Sequence, residues 1–212
     1  LTKDLPKPLI NINGITLLEN SINFLRKLGC KKIVINSHYK YKKIQEFLEK
    51  RKDKNDIFFI YEKEILDTGG GVKNAIDYFT NKNIIVINSD IFWQKDNLYD
   101  ARKLIKKYTT NLNPQLLLVN KKNAYGLDKT NGDFILRKSK ILKFKIGDPI
   151  LYYSGLQIIN TDILSRFKNK IFSFNEVWRY LIDNQVLHGQ IMTTNWYHVG
   201  DIRGLTIAKK LI

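Results

Sequence analysis

The stretch Ile84-Ile85-Val86-Ile87-Asn88-Ser89-Asp90 decides the fold class of this sequence. Its four consecutive β-branched apolar residues predict a strand at residues 84–88 that is buried on both faces, as in a parallel sheet. The polar residues that follow lie at the carboxyl end of this strand, where open α/β sheets bind their ligands. Asp90 is therefore placed where a metal ion or a phosphate group would be met.

Similar apolar runs occur on both sides of this stretch, with helical patterns between them. Further strands are predicted at residues 33–36, 57–61 and 116–120. Helices are predicted from apolar residues spaced three or four apart, around residues 18–28, 41–48, 72–79 and 98–108. This alternation favours right-handed βαβ units. It predicts an α/β fold with a Rossmann-like mixed, mostly parallel sheet and flanking helices.

After about residue 120 the pattern contains more strands. A hairpin is predicted at residues 133–144 and a longer strand at residues 151–159. Ser173 and Glu176 form the pattern of a capping box ahead of an apolar helix. A final strand at residues 190–196 precedes a C-terminal helix. Because no repeat or linker separates the two parts, we expect one domain over residues 1–212.

The composition is that of a globular protein from a reducing compartment. The 212 residues are 43% hydrophobic and 26% charged, which is enough to bury a core. No apolar stretch approaches the roughly 18 residues that a membrane span requires, so no membrane association is predicted. The single cysteine, Cys30, excludes an intramolecular disulfide and favours a cytoplasmic location.

The net charge of +16 has two interpretations. A strongly basic protein can attract polyanions such as nucleic acid or nucleotide phosphates. Alternatively, the lysines form a solvated coat, and we favour this interpretation because the basic pairs are short and scattered. No nucleic-acid-binding motif accompanies them. A nucleic-acid partner is therefore not predicted.

The segment Asp67-Thr68-Gly69-Gly70-Gly71 lies between a predicted strand and a predicted helix. Consecutive glycines allow a ligand to approach the backbone, and a helix N-terminus offers unpaired N–H groups. The spacing matches neither a dinucleotide fingerprint nor a P-loop. A tight turn is the alternative, but one glycine would suffice for it, so we favour ligand contact.

Asp90 and Lys7 are candidates for handling phosphate charge. Since a carboxylate repels a phosphate, Asp90 would meet a nucleotide through a divalent cation, of which Mg²⁺ is the natural choice. A turn or helix-capping role is equally compatible with this motif alone. Pro6 and Pro8 restrict the backbone around Lys7, whose ammonium could then contact phosphate oxygens. For this segment alone, a solvated lysine in a rigid loop is the favoured interpretation.

Taken together, segments along the whole chain resemble the sugar-1-phosphate nucleotidyltransferases. The matching segments are Pro6-Lys7-Pro8-Leu9, Asp67-Thr68-Gly69-Gly70-Gly71, Asn88-Ser89-Asp90, Tyr153-Ser154-Gly155 and Trp196-Tyr197-His198-Val199-Gly200. The likeness is closest to the N-acetylmuramate-1-phosphate uridylyltransferases, in which the glycine segment reads Glu-Thr-Gly-Gly-Gly. Asn131-Gly132-Asp133-Phe134 also resembles a Gly-Asp-Phe segment that this group uses near its sugar.

This resemblance implies the nucleotide-diphospho-sugar transferase fold, with nucleotide bound by residues 1–120 and sugar by residues 121–212. The implied reaction joins a nucleoside triphosphate, UTP in the closest group, to a sugar 1-phosphate and releases pyrophosphate. N-acetylmuramate 1-phosphate would be the sugar, in cell-wall sugar recycling. Asp90 would hold Mg²⁺ and Lys7 the phosphates. The other implied contacts are Asp67, Thr68, Gly69, Gly70 and Gly71 for the nucleotide, and Gly132, Asp133, Ser154 and Gly155 for the sugar.

The sequence departs from the family pattern at two places. Family members begin with a strand and a Gly-x-Gly-x-Arg-Met-x-Pro loop, whereas this sequence starts at Leu1-Thr2, where that loop should end. We therefore expect the natural chain to be longer. His198 stands where many members have a second metal-binding aspartate. It could contact Mg²⁺ through water, bind Mn²⁺ directly, leave the metal to Asp201 or lie outside the site, and we favour a metal role for His198.

Three other functions stay open at this point. The first is a mannose- or heptose-1-phosphate guanylyltransferase, whose glycine segment usually reads Leu-Gly-Thr-Ala-Gly or Leu-Gly-Thr-Gly-Gly. The second is a non-catalytic protein that binds nucleotide sugars. The third is a basic nucleic-acid-binding domain, which would need its lysines gathered on one face. The base, the sugar and the oligomeric state do not follow from the residues.

Overall fold

The structure is a computed structural model that describes residues 5–212. The chain start at Leu1-Thr2, on which the expectation of a longer protein rests, lies outside this range. Within it, the α-helices are α1 (Leu17–Lys27), α2 (Tyr41–Glu49), α3 (Asp67–Asn74), α4 (Asn97–Asn111), α5 (Phe174–Asp183) and α6 (Ile202–Leu211). Short 3₁₀ helices occur at Lys7–Leu9, Lys54–Asp56, Ile76–Tyr78, Lys121–Asn123 and Thr161–Arg166.

The strands of the described chain include several of only two residues that the sequence pattern does not reveal. In chain order, all the strands of the described residues are β1 (Asn11–Ile12), β2 (Ile15–Thr16), β3 (Ile33–Ser37), β4 (Ile57–Tyr61), β5 (Asn83–Ile87), β6 (Ile91–Phe92), β7 (Gln115–Asn120), β8 (Ala124–Tyr125), β9 (Phe134–Arg137), β10 (Lys140–Lys143), β11 (Leu151–Asn160), β12 (His188–Ile191) and β13 (Trp196–His198).

The main sheet has six strands in the order β5-β11-β7-β12-β10-β9. β11 is antiparallel to both β5 and β7, and β12 is parallel to β7, so β5, β7 and β12 share one direction. β9 and β10 form the predicted hairpin. β3 and β4 form a separate parallel pair, and β6, β13 and β8 form a small third sheet.

Helices cover both faces of the main sheet, as the apolar runs predict. Along β7, Leu116 and Leu118 pack in the cluster that contains α5, whereas Leu117 and Val119 pack in the cluster that contains α4. All four side chains are fully buried, because alternate residues of a strand point to opposite faces. Among residues 5–212, no helix is both long and apolar enough to cross a membrane.

Local capping signals define where two helices begin. Thr16 Oγ1 accepts the Glu19 N–H at 3.1 Å, which starts α1. Ser173 and Glu176 form the predicted capping box of α5. In each case a side-chain oxygen replaces the carbonyl that a helix N-terminus lacks, so a short sequence pattern is enough to predict the helix start.

Two predicted elements are wrong in their bounds. The predicted strand at residues 190–196 is two strands, β12 and β13. The chain leaves the sheet between them because the buried Asp100 carboxylate accepts the N–H groups of Thr193 and Thr194, at 2.9 and 3.3 Å. The third helix begins at Asp67 instead of near Val72, so all three glycines of the 69–71 segment belong to α3.

Candidate functional site

Three ionisable side chains meet just beyond the carboxyl end of β5. Asp90 lies in the turn between β5 and β6, and its carbonyl accepts the Val199 N–H at 2.7 Å. His198 Nε2 lies 3.5 Å from Asp90 Oδ2, and Lys7 Nζ lies 4.0 Å from the same oxygen. The structure thus brings together the predicted catalytic residues and the predicted second metal-binding residue.

Glycines create the space that His198 occupies. A Cβ on Gly200 would lie 2.2 Å from His198 Cε1, and Cβ atoms on Gly126 and Gly204 would lie 2.2 and 2.4 Å from the His198 carbonyl oxygen. The imidazole stacks on Trp196 with a centroid distance of 5.6 Å, and its Nδ1 is buried with no hydrogen-bond partner among the described residues. Gly126 and Gly204 are part of the site that sequence reasoning missed.

Lys7 reaches Asp90 from a restricted backbone. It begins a single 3₁₀ turn after Pro6, in which the Leu9 N–H donates to the Pro6 carbonyl at 2.9 Å. The Lys7 ammonium lies near the Asp90 carboxylate. Because the Lys7 side chain is 34% exposed, this ammonium can also contact a phosphate group from solution. This geometry agrees with the rigid-loop prediction and adds a charge partner that the motif alone did not reveal.

The Asp90 carboxylate stays ionised in this environment. Burial acts to raise the pKa of Asp90, but the hydrogen bond and charge of His198, together with the charge of Lys7, outweigh it and hold the pKa below its ordinary value. The hydroxyl of Tyr153 is buried without a hydrogen-bond partner among residues 5–212. Burial, and to a smaller extent the charge of Asp90, raise the pKa of Tyr153, so this phenol stays protonated.

The Asp90 carboxylate has the chemistry of a Mg²⁺ ligand. Within residues 5–212 no three His, Cys, Asp or Glu side chains form a metal-binding group. Mg²⁺ is commonly held by one or two carboxylates, with phosphate oxygens and water supplying the remaining ligands, so Asp90 fits this role. Asp201 is engaged elsewhere, because its Oδ1 accepts the Gly204 N–H at 2.7 Å and caps α6.

The backbone of the glycine segment is contacted by another part of the same chain, residues 170–172. The N–H groups of Gly69 and Gly70 both donate to the Phe172 carbonyl at 3.0 Å, so the expectation of unpaired N–H groups there is wrong. A Cβ on Gly69 would lie 2.5 Å from the Phe172 ring, and one on Gly70 would lie 2.3 Å from the Lys170 carbonyl oxygen. These two glycines permit close packing of α3 against the 170–172 segment. Asp67 and Thr68 remain exposed at its start.

Two of the predicted sugar-binding residues, Asp133 and Ser154, contact β11 or belong to it. Asp133 Oδ2 accepts the Tyr153 N–H at 2.9 Å, and its other oxygen pairs with Lys129. Ser154 is buried, and its carbonyl accepts the Trp196 indole N–H at 2.8 Å.

Two predicted sugar-binding glycines lie at close backbone contacts beside these residues. Gly155 has a φ of +85°, and its carbonyl accepts the Asn88 N–H at 2.8 Å, beside Asp90. Gly132 is buried, and a Cβ there would lie 2.8 Å from the Phe144 ring. No hydrogen bond or ion pair within residues 5–212 joins Gly132 or Asp133 directly to Asp90.

A cleft of about 1270 Å³ opens beside these residues, between β3 and β5. Polar groups gather where the two strands end, from Asn36, Glu62 and Asn88. The Asn36 amide donates to Glu62 Oε1 at 2.9 Å and to the Gly71 carbonyl at 3.0 Å. Asn36 and Glu62 were not singled out from the sequence, since each stands alone among unrelated residues.

Curated relatives of this chain act on sugar 1-phosphates. It is 26% identical over 212 residues to an N-acetylmuramate alpha-1-phosphate uridylyltransferase of Caulobacter vibrioides, covering 95% of this chain and 86% of that protein. It is 30% identical over 179 residues to a D-glycero-alpha-D-manno-heptose 1-phosphate guanylyltransferase of Campylobacter jejuni, covering 83% and 76% of the two chains. No family model matches the chain.

A solved structure confirms the predicted fold class. The crystal structure of HddC from Yersinia pseudotuberculosis complexed with GMP-PN matches with a TM-score of 0.79 and 22% identity. The match covers 99% of this chain and 91% of HddC. The mixed α/β architecture of the nucleotide-diphospho-sugar transferases is therefore the fold of this chain.

Proposed function

The chain belongs to the sugar-1-phosphate nucleotidyltransferases, and we propose from this membership that it joins UTP to N-acetylmuramate 1-phosphate. Its activity as a nucleotidyltransferase on sugar 1-phosphates follows from its relatives. The choice of base and sugar is our proposal. It is supported by the Asp67-Thr68-Gly69-Gly70-Gly71 segment and by the uridylyltransferase of Caulobacter vibrioides, which matches 95% of the chain.

The convergence of Lys7, Asp90 and His198 is the observation that carries the nucleotidyl transfer itself, whichever base and sugar are used. Nucleotidyl transfer brings two anions together, so the chain must supply positive charge and fixed positions more than covalent chemistry. A lysine ammonium and an ionised carboxylate lie 4.0 Å apart at the carboxyl end of a sheet strand. That arrangement provides a cation for phosphate oxygens and a ligand for a divalent metal ion at one place.

In the reaction that we propose, an oxygen of the sugar phosphate attacks the α-phosphorus of UTP and pyrophosphate leaves. Lys7 would neutralise phosphate charge, and Asp90 would hold Mg²⁺, which when bound supplies further charge neutralisation and orients the triphosphate. His198 would take part in the metal site, by contacting the ion directly or through water and by positioning the Asp90 carboxylate from 3.5 Å. No covalent intermediate on the protein is required.

The two substrates would lie on different parts of the chain. Residues 1–120 would bind the nucleotide, with Asp67, Thr68 and Gly71 at the edge of the cleft. Residues 121–212 would bind the sugar through Gly132, Asp133, Ser154 and Gly155. We further propose that the reaction serves cell-wall sugar recycling in the cytoplasm, where nucleoside triphosphates are available.

A substrate matrix tests this proposal. Pyrophosphate release is measured with UTP, GTP, dTTP and CTP, each combined with N-acetylmuramate, mannose or D-glycero-α-D-manno-heptose 1-phosphate and Mg²⁺. We expect the highest kcat/KM for UTP with N-acetylmuramate 1-phosphate, and the largest thermal stabilisation by UTP among the nucleotides, since ligand binding raises stability. Higher kcat/KM with GTP would assign a guanylyltransferase instead.

The guanylyltransferase is the second candidate, and one observation favours it. The relative in Campylobacter jejuni has the higher identity, 30%, and is a guanylyltransferase for a heptose 1-phosphate. If this candidate is correct, GTP with the heptose 1-phosphate gives the highest kcat/KM in the same matrix. Asp90→Asn should nearly abolish turnover with either pair of substrates. That variant therefore tests the role of Asp90, whereas the matrix identifies the substrates.

A further inference from the structure

Asp100 is a fully buried carboxylate that contacts a part of the chain 93 positions away. It lies in the first turn of α4, and no ion pair within residues 5–212 includes it. Its Oδ2 accepts the Thr193 N–H at 2.9 Å, and the N–H and hydroxyl of Thr194 at 3.3 and 2.9 Å. A buried polar group is costly unless hydrogen bonds satisfy it, so these contacts hold residues 193–194 against α4.

Asn97 adds a second set of contacts from the same face of α4. It is also fully buried, and it lies three positions before that carboxylate, which makes the two side chains neighbours on the helix. Its Nδ2 donates to Thr194 Oγ1 at 2.7 Å and to the Asn195 carbonyl at 2.9 Å, whereas its Oδ1 accepts the Gln94 N–H at 2.8 Å. The start of α4 therefore joins residues 193–195 to the chain that follows β6.

β13 begins directly after residues 193–195 and carries His198. It is antiparallel to β6, with His198 opposite Ile91, the residue that follows Asp90. Both β6 and β8 pair with β13 over only two residues. Such short ladders contain few cross-strand contacts, so contacts at their ends must help to fix the register. A slip by one residue would turn the His198 side chain to the opposite face.

The imidazole of His198 has no second hydrogen bond to orient it among the described residues. A histidine at a metal site is usually oriented by a hydrogen bond at its other ring nitrogen, whereas Nδ1 of His198 is buried without such a partner. The ring is located by its backbone and by packing on Trp196, whose indole N–H donates to the Ser154 carbonyl at 2.8 Å. Both move with β13, so the distance of 3.5 Å between His198 Nε2 and Asp90 Oδ2 depends on residues 193–195.

We propose that Asp100 and Asn97 are positioning residues that hold His198 beside Asp90. They contact neither of those side chains directly, but they act through residues 193–195, which fix the start of β13 against β6. A displacement of about 1 Å near a reacting centre can cost about 100-fold in rate, so loss of these contacts should lower turnover even in the folded protein. The inference rests on the proposed function, because it concerns the same nucleotidyl transfer.

Thr194→Val tests this proposal, with Thr194→Ser as its matched control. Valine keeps the shape of threonine but removes the hydroxyl that bonds to both Asp100 and Asn97, whereas serine keeps that hydroxyl. The environment of His198 is measured without substrate, from the NMR signal of its Cε1–H group in the full chain, which has three histidines. We expect Thr194→Val to shift the His198 signal but not the signals of the other two histidines, and Thr194→Ser to leave all three unchanged.

Turnover is then measured with the substrate pair that gives the highest kcat/KM in the matrix. We expect kcat at limiting Mg²⁺ to fall about tenfold in Thr194→Val and in Asp100→Asn, with little change in KM for the sugar phosphate. Thr194→Ser should stay close to wild type. Leu104→Ala, which removes core packing from the same helix, should lower stability without shifting the His198 signal.

Three results would overturn the proposal. An unchanged His198 signal in both Thr194→Val and Asp100→Asn would show that these contacts only stabilise the fold. An equal shift in Thr194→Ser or in Leu104→Ala would assign the effect to a general loosening of α4. A shifted signal with wild-type turnover would show that the reaction does not depend on the position of His198. If no substrate pair is turned over, the proposed function fails, whereas the His198 signal still decides whether these residues position the ring.

Discussion

The glycine segment at residues 69–71 and the Asp90 corner, formed by Lys7, Asp90 and His198, differ in what fills the space around them. Taken alone, the glycine motif favours ligand contact and the Asp90 motif leaves a metal role and a turn role equally compatible, although the family resemblance implies that both contact substrate or metal. In the structure, Gly69 and Gly70 donate their N–H groups to Phe172 and pack against residues 170–172. At the Asp90 corner, by contrast, a carboxylate, an imidazole and an ammonium converge, and the lysine remains one-third exposed.

This difference separates two uses of glycine. A run of glycines indicates that another group lies close to the backbone. That group can be a ligand or another part of the protein, as at Gly69 and Gly70. Gly200, which is not part of a run, makes room for the His198 ring beside Asp90. The number of consecutive glycines is thus a poorer indicator of a ligand than what each missing Cβ would contact.

Asp90→Asn should have the largest effect on activity. The substitution keeps the shape of the side chain but removes the charge that binds Mg²⁺, so we expect kcat/KM to fall about 1,000-fold, which corresponds to about 4 kcal/mol. Pyrophosphate release at saturating Mg²⁺ measures the loss. Asp96→Asn, the same change at an exposed position, is the matched control and should retain wild-type activity. An active Asp90→Asn enzyme would make Asp90 a turn residue only.

Gly70→Ala should lower the stability of the folded protein. The new Cβ would lie 2.3 Å from the Lys170 carbonyl oxygen, so the backbone must shift, at a cost of about 1–3 kcal/mol in the free energy of unfolding. Denaturant unfolding measures this cost. Asn74→Ala, at an exposed position of the same helix, should change stability little. Unchanged stability of Gly70→Ala with a raised KM for the nucleotide would restore the ligand interpretation of the glycine segment.

His198→Ala should lower activity by about tenfold at limiting Mg²⁺, the effect typical of removing a group that orients a metal ligand. His198→Asp should retain or raise Mg²⁺-dependent activity, because a carboxylate is a better Mg²⁺ ligand than an imidazole. The metal dependence of turnover distinguishes these outcomes.

Asp201→Asn is the control for the His198 variants. It weakens the cap of α6 by about 1 kcal/mol or less and should leave turnover intact. An inactive Asp201→Asn beside a fully active His198→Ala would transfer the metal role to Asp201.

His188→Gln should have the smallest effect of these substitutions, and the effect should be on the pH dependence of stability. Because His188 is not part of the Asp90 corner, this variant is the histidine control. Burial, and to a smaller extent the charge of Lys140, lower the pKa of His188 below 6.5 in the folded protein. As the pH falls below 6.5, the unfolded state takes up the proton first, so wild-type stability decreases. The variant should lose less stability than wild type between pH 7.5 and 5, as thermal unfolding would show. An equal loss in both proteins would contradict the prediction.

Elements with local signals could be predicted from the sequence. Thr16 with Glu19, and Ser173 with Glu176, mark the starts of α1 and α5 because a cap involves residues three positions apart. The apolar run of β7 predicts burial on both faces, which its packing confirms. The break between β12 and β13 could not be predicted, because it depends on the buried Asp100, which is about ninety positions distant along the chain.

The sequence by itself determined the order of the longer strands and helices, the fold class and the family, because apolar spacing and ordered motifs are properties of neighbouring residues. Only the tertiary structure decided which groups meet. Lys7, Asp90 and His198 come together because a 3₁₀ turn, the end of β5 and the end of β13 converge at one corner. It also decided that Gly69 and Gly70 contact Phe172 and Lys170. Contacts between distant residues depend on how whole elements pack, and no local pattern encodes that packing.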